Sequence, residues 1–241
     1  MPTTHRIPVT DDESVAAVHH VPDPGTATDD WLVFCHGLRS DKSGSYEGRC
    51  ERAVAEGFDA VRFDFRGCGE ADGAFADATL SARIADLRAV VEYFDLDSAR
   101  LFGSSFGGAV ALHAACEDWI EAEAIATRAP VTDAGAFDDY RRAVEREGAY
   151  TFDTGERIDA RFLDDLADYA FDDVAATLDC PVAIFHGASD DSVPVADSFR
   201  AARALETDVL LQKYAGEGHR FSRAAEDRMR DHLFDWLARR A

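Results

Sequence analysis

Short apolar runs recur along this chain, and several of them do not alternate with polar residues. They fall at Val15–Val21, Trp31–His36, Ala60–Phe65, Arg100–Gly103, Ala122–Thr127, Val182–His186 and Val209–Tyr214. A strand with one wet face alternates apolar and polar residues. A run that is apolar throughout belongs in a sheet covered on both faces, which is the habit of parallel sheets. Parallel neighbours need long crossovers, and amphipathic stretches between the runs supply them. In Thr79–Phe94 the residues Leu80, Ile84, Leu87, Val91 and Phe94 step by 4, 3, 4 and 3, which places them on one helix face. The stretch Arg223–Arg240 sets Met229, Leu233, Trp236 and Leu237 in the same way. The pattern predicts an α/β domain with a mostly parallel sheet and right-handed crossovers. At 241 residues the chain can bury a large core without disulfide or metal staples.

One segment interrupts the alternation. From Val131 to Leu178 no strand is visible, only polar helical pieces carrying aromatic residues such as Phe137, Tyr140, Phe152 and Phe162. That is too long for an ordinary crossover. The expected organisation is therefore a core formed by residues 1–130 and 179–241, with a helical insertion over 131–178. Long insertions in compact domains usually carry function, so a lid over a site is expected, with Phe137 and Tyr140 as its pocket candidates. A plain packing extension is the alternative.

Charge narrows the partners. The chain carries 47 acidic against 25 basic residues, a net charge of −22, and only two of the basic residues, Lys42 and Lys213, are lysines. Such a balance repels nucleic acid and anionic membranes. The acids are dispersed through the chain, which suggests a property of the whole surface. Strong acidity with so little lysine resembles proteins of salt-accumulating archaea, although arginine bias also follows from GC-rich coding. The five cysteines show no CxxC spacing and read as small buried hydrophobes in a reducing cytoplasm. No secretory leader or membrane-length run is present, so a cytoplasmic location is expected.

The chemistry concentrates at Gly103-Ser104-Ser105-Phe106-Gly107-Gly108, which follows an apolar run and opens a helical stretch, Ala109–Cys116. This is a G-x-S-x-G turn in a strand–turn–helix setting, with Ser105 in the nucleophile position. A serine hydroxyl needs a base, and the base needs a carboxylate to orient it. Asp190 stands just beyond the run Val182–His186, with its neighbour Asp191 as the alternative acid. His219 follows the next run, within Gly218-His219-Arg220. Glu217 beside it reads as solvated or as tuning His219. The amides of Phe106 and Leu38, the latter after His36-Gly37, are the expected donors to an oxyanion. His36 itself is expected to brace that loop, and the remaining histidines to lie on the surface or in packing.

These residues together resemble the α/β-hydrolase superfamily of serine esterases, lipases, thioesterases and peptidases. The resemblance runs over Phe34-Cys35-His36-Gly37, Arg62–Gly69, Gly103–Gly108, His186–Pro194 and Gly218-His219. It is similar in particular to the small-esterase and serine-aminopeptidase branch, and to bacterial cinnamoyl or feruloyl esterases with an inserted lid. The resemblance implies about eight strands flanked by helices and a structural Asp64. It also implies a carboxylic ester hydrolase acting on small acyl substrates, needing no metal or other cofactor. A thioesterase or aminopeptidase-like hydrolase is the alternative within that fold, and a non-catalytic binding module the alternative outside enzymes. His36-Gly37-Leu38 departs from the His-Gly-Gly-Gly loop of hormone-sensitive-lipase relatives. The insertion is shorter than the caps of epoxide hydrolases and haloalkane dehalogenases, which use an aspartate where Ser105 stands.

Overall fold

A computed structural model describes residues 2–240. In chain order the first half contains β1 (Thr3–Pro8), β2 (Ser14–His20), β3 (Trp31–Cys35), α1 (Ser45–Ala55), β4 (Asp59–Asp64), α2 (Leu80–Tyr93), β5 (Ser98–Ser104) and α3 (Phe106–Ala114). The second half contains β6 (Glu121–Arg128), α4 (Asp138–Glu147), β7 (Ala149–Thr151), β8 (Arg157–Asp159), α5 (Ala160–Ala167), α6 (Phe171–Thr177), β9 (Val182–Gly187), α7 (Val195–Ala204), β10 (Val209–Tyr214) and α8 (Arg223–Leu237). Single 3-10 turns stand at Phe75–Asp77 and Ala134–Phe137.

Eight strands form the central sheet in the order β1-β2-β4-β3-β5-β6-β9-β10. From β4 to β10 every neighbouring pair is parallel, while β2 pairs antiparallel with both β1 and β4. The unbroken apolar runs have a direct cause. Successive residues of one strand enter opposite cores. Val33, Leu101, Ile125 and Ile184 pack on the side of α2 and α3. Their neighbours Phe34, Phe102, Ala126 and Phe185 pack on the side of α1 and α8.

Three strands escape a reading by periodicity. The edge strand β1 buries only Ile7 among its six residues, so it has no apolar pattern to betray it. In the segment after β6, where only helical pieces are expected, β7 and β8 form a small antiparallel hairpin. Each has three residues, too few to show a period of two, and Gly155 closes the turn between them at φ 97°. The rest of that segment is helical, as α4, α5 and α6. No helix among the described residues is long and apolar enough to cross a membrane. Four of the five cysteines are buried, Cys116 is partly so, and all are free thiols.

The two-core arrangement makes burial, not apolar character, the measure of what a side chain contributes. Leu233 on α8 is fully enclosed, whereas Phe199 on α7 is 48% exposed. Leu233→Ala is expected to lower unfolding free energy by about 3 kcal/mol, and Phe199→Ala by less than about 0.5 kcal/mol. Denaturant titrations at fixed salt would measure both, and equal costs would contradict this packing.

Candidate active site

Every residue singled out from the sequence lies past the carboxyl end of a parallel strand, where open α/β sheets place their sites. Ser105 joins β5 to α3 with φ 55° and ψ −119°, a left-handed conformation that is strained for a side-chain-bearing residue. Backbone contacts hold it there. Its amide donates to the Arg128 carbonyl at 2.8 Å, and its own carbonyl accepts from the Gly108 and Val131 amides. The turn works only with glycines around it. A Cβ on Gly107 would overlap the carbonyls of Cys35 and His36, and one on Gly103 would overlap Gly107 itself.

The structure brings Ser105, His219 and Asp190 together in series. Ser105 Oγ lies 3.0 Å from His219 Nε2, and His219 Nδ1 lies 2.8 Å from Asp190 Oδ2. Because Nδ1 can only donate to that carboxylate, the neutral ring offers Nε2 as acceptor for the serine hydroxyl. The Asp190 side chain is wholly shielded from solvent. Its Oδ1 accepts from the amides of Ser192 and Val193, both at 2.9 Å. Burial alone would push this carboxyl up. Hydrogen bonds from His186, His219 and the Val193 amide outweigh it and hold the group well below the usual carboxylate range. Asp191 is exposed and stands apart from His219.

A second imidazole was not legible as a site residue. His186, at the end of β9 and fully buried, places Nε2 at 3.1 Å from Asp190 Oδ2 and 3.0 Å from the Val193 carbonyl. A carbonyl only accepts, so Nε2 carries the proton, and Nδ1 accepts from the Ser198 hydroxyl at 2.7 Å. Glu217, expected to be solvated or to tune His219, is partly open to solvent and makes no hydrogen bond to His219. Its carboxylate accepts from the amide and hydroxyl of Ser222 at 2.7 and 2.8 Å, at the start of α8.

The loop after β3 brings Leu38 beside this series. His36 braces it, with Nδ1 at 2.8 Å from the Gly37 carbonyl and Nε2 accepting from the Phe65 amide at 3.1 Å. Arg83 on α2, also missed by sequence reading, is completely buried beneath the loop. It donates to the Leu38 carbonyl at 2.9 Å and stacks over the rings of Phe65 and Phe106. With its carbonyl turned to Arg83, Leu38 leaves its amide free. Among the described residues neither that amide nor the amide of Phe106 has a protein acceptor. Asp64, read as structural, accepts from the Lys42 and Glu70 amides and takes no part in the series.

A cleft of about 920 Å³ opens over these groups, lined by Leu38, Ser105, Phe106 and His219 and by Phe137 and Tyr140 from the segment after β6. Phe137 is buried, its ring 5.7 Å from that of Phe106. Among the described residues no cluster of three or more His, Cys, Asp or Glu side chains is arranged to hold a metal ion. A hydroxyl, an imidazole and a carboxylate in series, beside two free amides, are the parts needed for acyl transfer.

This sheet with its strained serine turn defines an α/β-hydrolase fold. The chain belongs to the alpha/beta hydrolase family, whose profile matches residues 32–239. It is 28% identical over 222 residues to the mitochondrial palmitoyl-protein thioesterase ABHD10 of Pongo abelii, covering 86% of this chain and 72% of that one. The protein of that name in Homo sapiens is 27% identical with the same coverage of each chain. Among solved structures, Est1E from Butyrivibrio proteoclasticus with bound ferulic acid superposes with a TM-score of 0.82 at 20% identity, covering 97% of this chain and 99% of that one. Alpha/beta hydrolase domain-containing protein 10 from mouse gives 0.80 at 21% identity, covering 99% and 100%. At these identities the structural likeness is one of fold.

The depressed Asp190 carboxyl has a consequence for stability. A group held lower in the folded than in the unfolded state contributes fully above its unfolded pKa, about 4, and loses that contribution as pH falls further. Wild type should therefore lose more stability than Asp190→Asn between about pH 6 and about pH 3. Chemical denaturation across that range would show converging curves, and parallel curves would contradict the hydrogen-bonding account.

Proposed function

We propose that the chain is a serine hydrolase that cleaves carboxylic esters of small acyl substrates through an acyl-enzyme. The supporting observation is the unbroken hydrogen-bonded series from Ser105 through His219 to Asp190 beside two free amides. In this reading His219 takes the Ser105 proton as the oxygen attacks the acyl carbon. The amides of Leu38 and Phe106 hold the oxyanion, and Asp190 fixes the His219 tautomer and stabilises its cation. His219 then gives its proton to the leaving alcohol and activates the water that releases the acyl group. Residues 131–178 act as a lid on a core of residues 1–130 and 179–241, with Phe137 and Tyr140 in the acyl pocket.

Thioester hydrolysis is the second reading. It is favoured by the relatives named palmitoyl-protein thioesterase, and it uses the same residues, because the leaving group is chosen by the pocket and not by the series. A panel of acyl esters, thioesters and aminoacyl anilides would rank these activities. A serine-reactive fluorophosphonate should label Ser105. Ser105→Ala and His219→Ala should each lower kcat by about 10⁴-fold or more, since the groups act as a unit. Well-folded protein that takes no label and turns over none of the panel would be a binding module instead.

The charge supports a further reading, that the fold is adapted to high salt. Raising KCl from about 0.1 M to about 1 M shortens the screening length from about 10 Å to about 3 Å and should raise the melting temperature. A melting temperature indifferent to KCl would sink this reading and leave the hydrolase intact.

A further inference from the structure

The cleft over Ser105 has two chemically different sides. Phe106, Phe137 and Phe152 belong to the core on the α2 and α3 side of the sheet. Tyr46 and Phe221 belong to the core on the α1 and α8 side. On that second side the lining includes Arg128, Arg220, Arg223 and Arg230, a concentration of cations in a chain of net charge −22. The acids on the cleft already have partners. Glu226 accepts from Arg49 at 2.7 Å, Asp227 from Arg230 at 2.8 Å, and Asp41 from the Ser43 amide at 2.7 Å. Arg39, on the aromatic side, is paired with Asp153. Among the described residues no carboxylate lies within 4.0 Å of Arg128, Arg220 or Arg223.

Arg128 is the unusual member. It ends β6 next to Ser105, whose amide its carbonyl receives. Its side chain donates through Nη1 to the His219 carbonyl at 3.2 Å and lies 5.7 Å from the Phe221 ring centre. Its Nε is buried without any acceptor. Desolvation, and secondarily the nearby Arg49, work against its charge. A guanidinium cannot relieve this by losing its proton, so an anion in the cleft is what would supply the counter-charge it lacks. Its planar fork suits an oxyanion with two accepting oxygens.

We propose that Arg128, with Arg220 and Arg223 at the rim, binds a carboxylate or phosphate on the leaving-group half of the substrate, while the aromatic side takes the acyl chain. The substrates are then acyl esters or thioesters of anionic alcohols or thiols, an assignment that rests on the acyl-hydrolase reading. The overall negative charge repels such molecules at long range, but salt screens that repulsion more than it weakens a buried contact.

The test compares phenyl butyrate with 3-carboxyphenyl and 3-phosphonophenyl butyrate, which separate carboxylate from phosphate, and with phenyl hemisuccinate, whose charge is on the acyl side. In wild type, kcat/KM for at least one anionic leaving group should exceed that for phenyl butyrate by about tenfold or more. Arg128→Gln should collapse that ratio, Arg128→Lys should keep part of it, and Arg220→Gln with Arg223→Gln should reduce it less. Calorimetry on Ser105→Ala reads the same preference without turnover: about tenfold tighter binding of the favoured anionic ester, lost in Ser105→Ala/Arg128→Gln. No preference in either measurement, equal losses on all esters, or a preference for the hemisuccinate would each overturn the inference. Turnover of phenyl butyrate without anionic preference defeats this inference alone. Anionic binding without turnover or Ser105 labelling defeats the hydrolase reading alone.

Discussion

The approach of α3 to the ends of β3 and β5 sets the geometry on which the rest of the site depends. There is no room for a side chain at Gly103 or Gly107. That absence lets the helix start directly beneath the Cys35 and His36 carbonyls. Ser105 is consequently forced into a left-handed conformation at the crest, and the Leu38 loop is brought alongside the first turn of the helix. Strain at one residue is tolerated because the backbone on either side is fixed by Arg128, Gly108 and Val131. Once that corner is built, His219 and Asp190 need only arrive from the two strands farther along the sheet.

The parts most legible in the sequence were those under the strictest constraint. Buried parallel strands wrote themselves as apolar runs because alternate residues feed two different cores. The serine turn was legible because close packing demands glycines at fixed offsets, and Asp190 and His219 because each follows an apolar run. Elements with looser demands were silent. β1 needs only one buried side chain, and the β7–β8 hairpin is too short for periodicity. His186 and Arg83 were silent for another reason. Each earns its place through a contact distant in sequence or specific to the loop conformation, and a lone histidine or arginine carries no spacing to signal it. The bond from Glu217 to Ser222 was equally silent, because it became visible only when α8 was seen to start there.

Charge in this molecule is partitioned by depth. Many arginines near the surface are engaged with carboxylates, as in the pairs Arg52–Glu56 and Arg88–Glu92. Such exposed pairs contribute little individually and serve mainly to distribute charge. Deeper arginines do different work. Arg49 meets Glu226 between α1 and α8, tying two helices of one layer. Arg83 meets no carboxylate and donates instead to the Gly37 and Leu38 carbonyls of the loop after β3 and to the Ala78 carbonyl. The same side chain thus acts as ionic cross-link in one place and as a scaffold for bare amides in another.

The sharing of one carboxylate oxygen by two imidazoles has a mechanical meaning. Oδ1 of Asp190 is tethered by two amides and Oδ2 by His186 and His219. A carboxylate gripped at both oxygens cannot rotate to follow a moving partner. It is a fixed acceptor, and its bond to His219 Nδ1 holds that ring with Nε2 turned to Ser105 Oγ. The orientation of the ring toward the serine is thereby set through the three groups, the Ser192 and Val193 amides and His186, that hold the acid still.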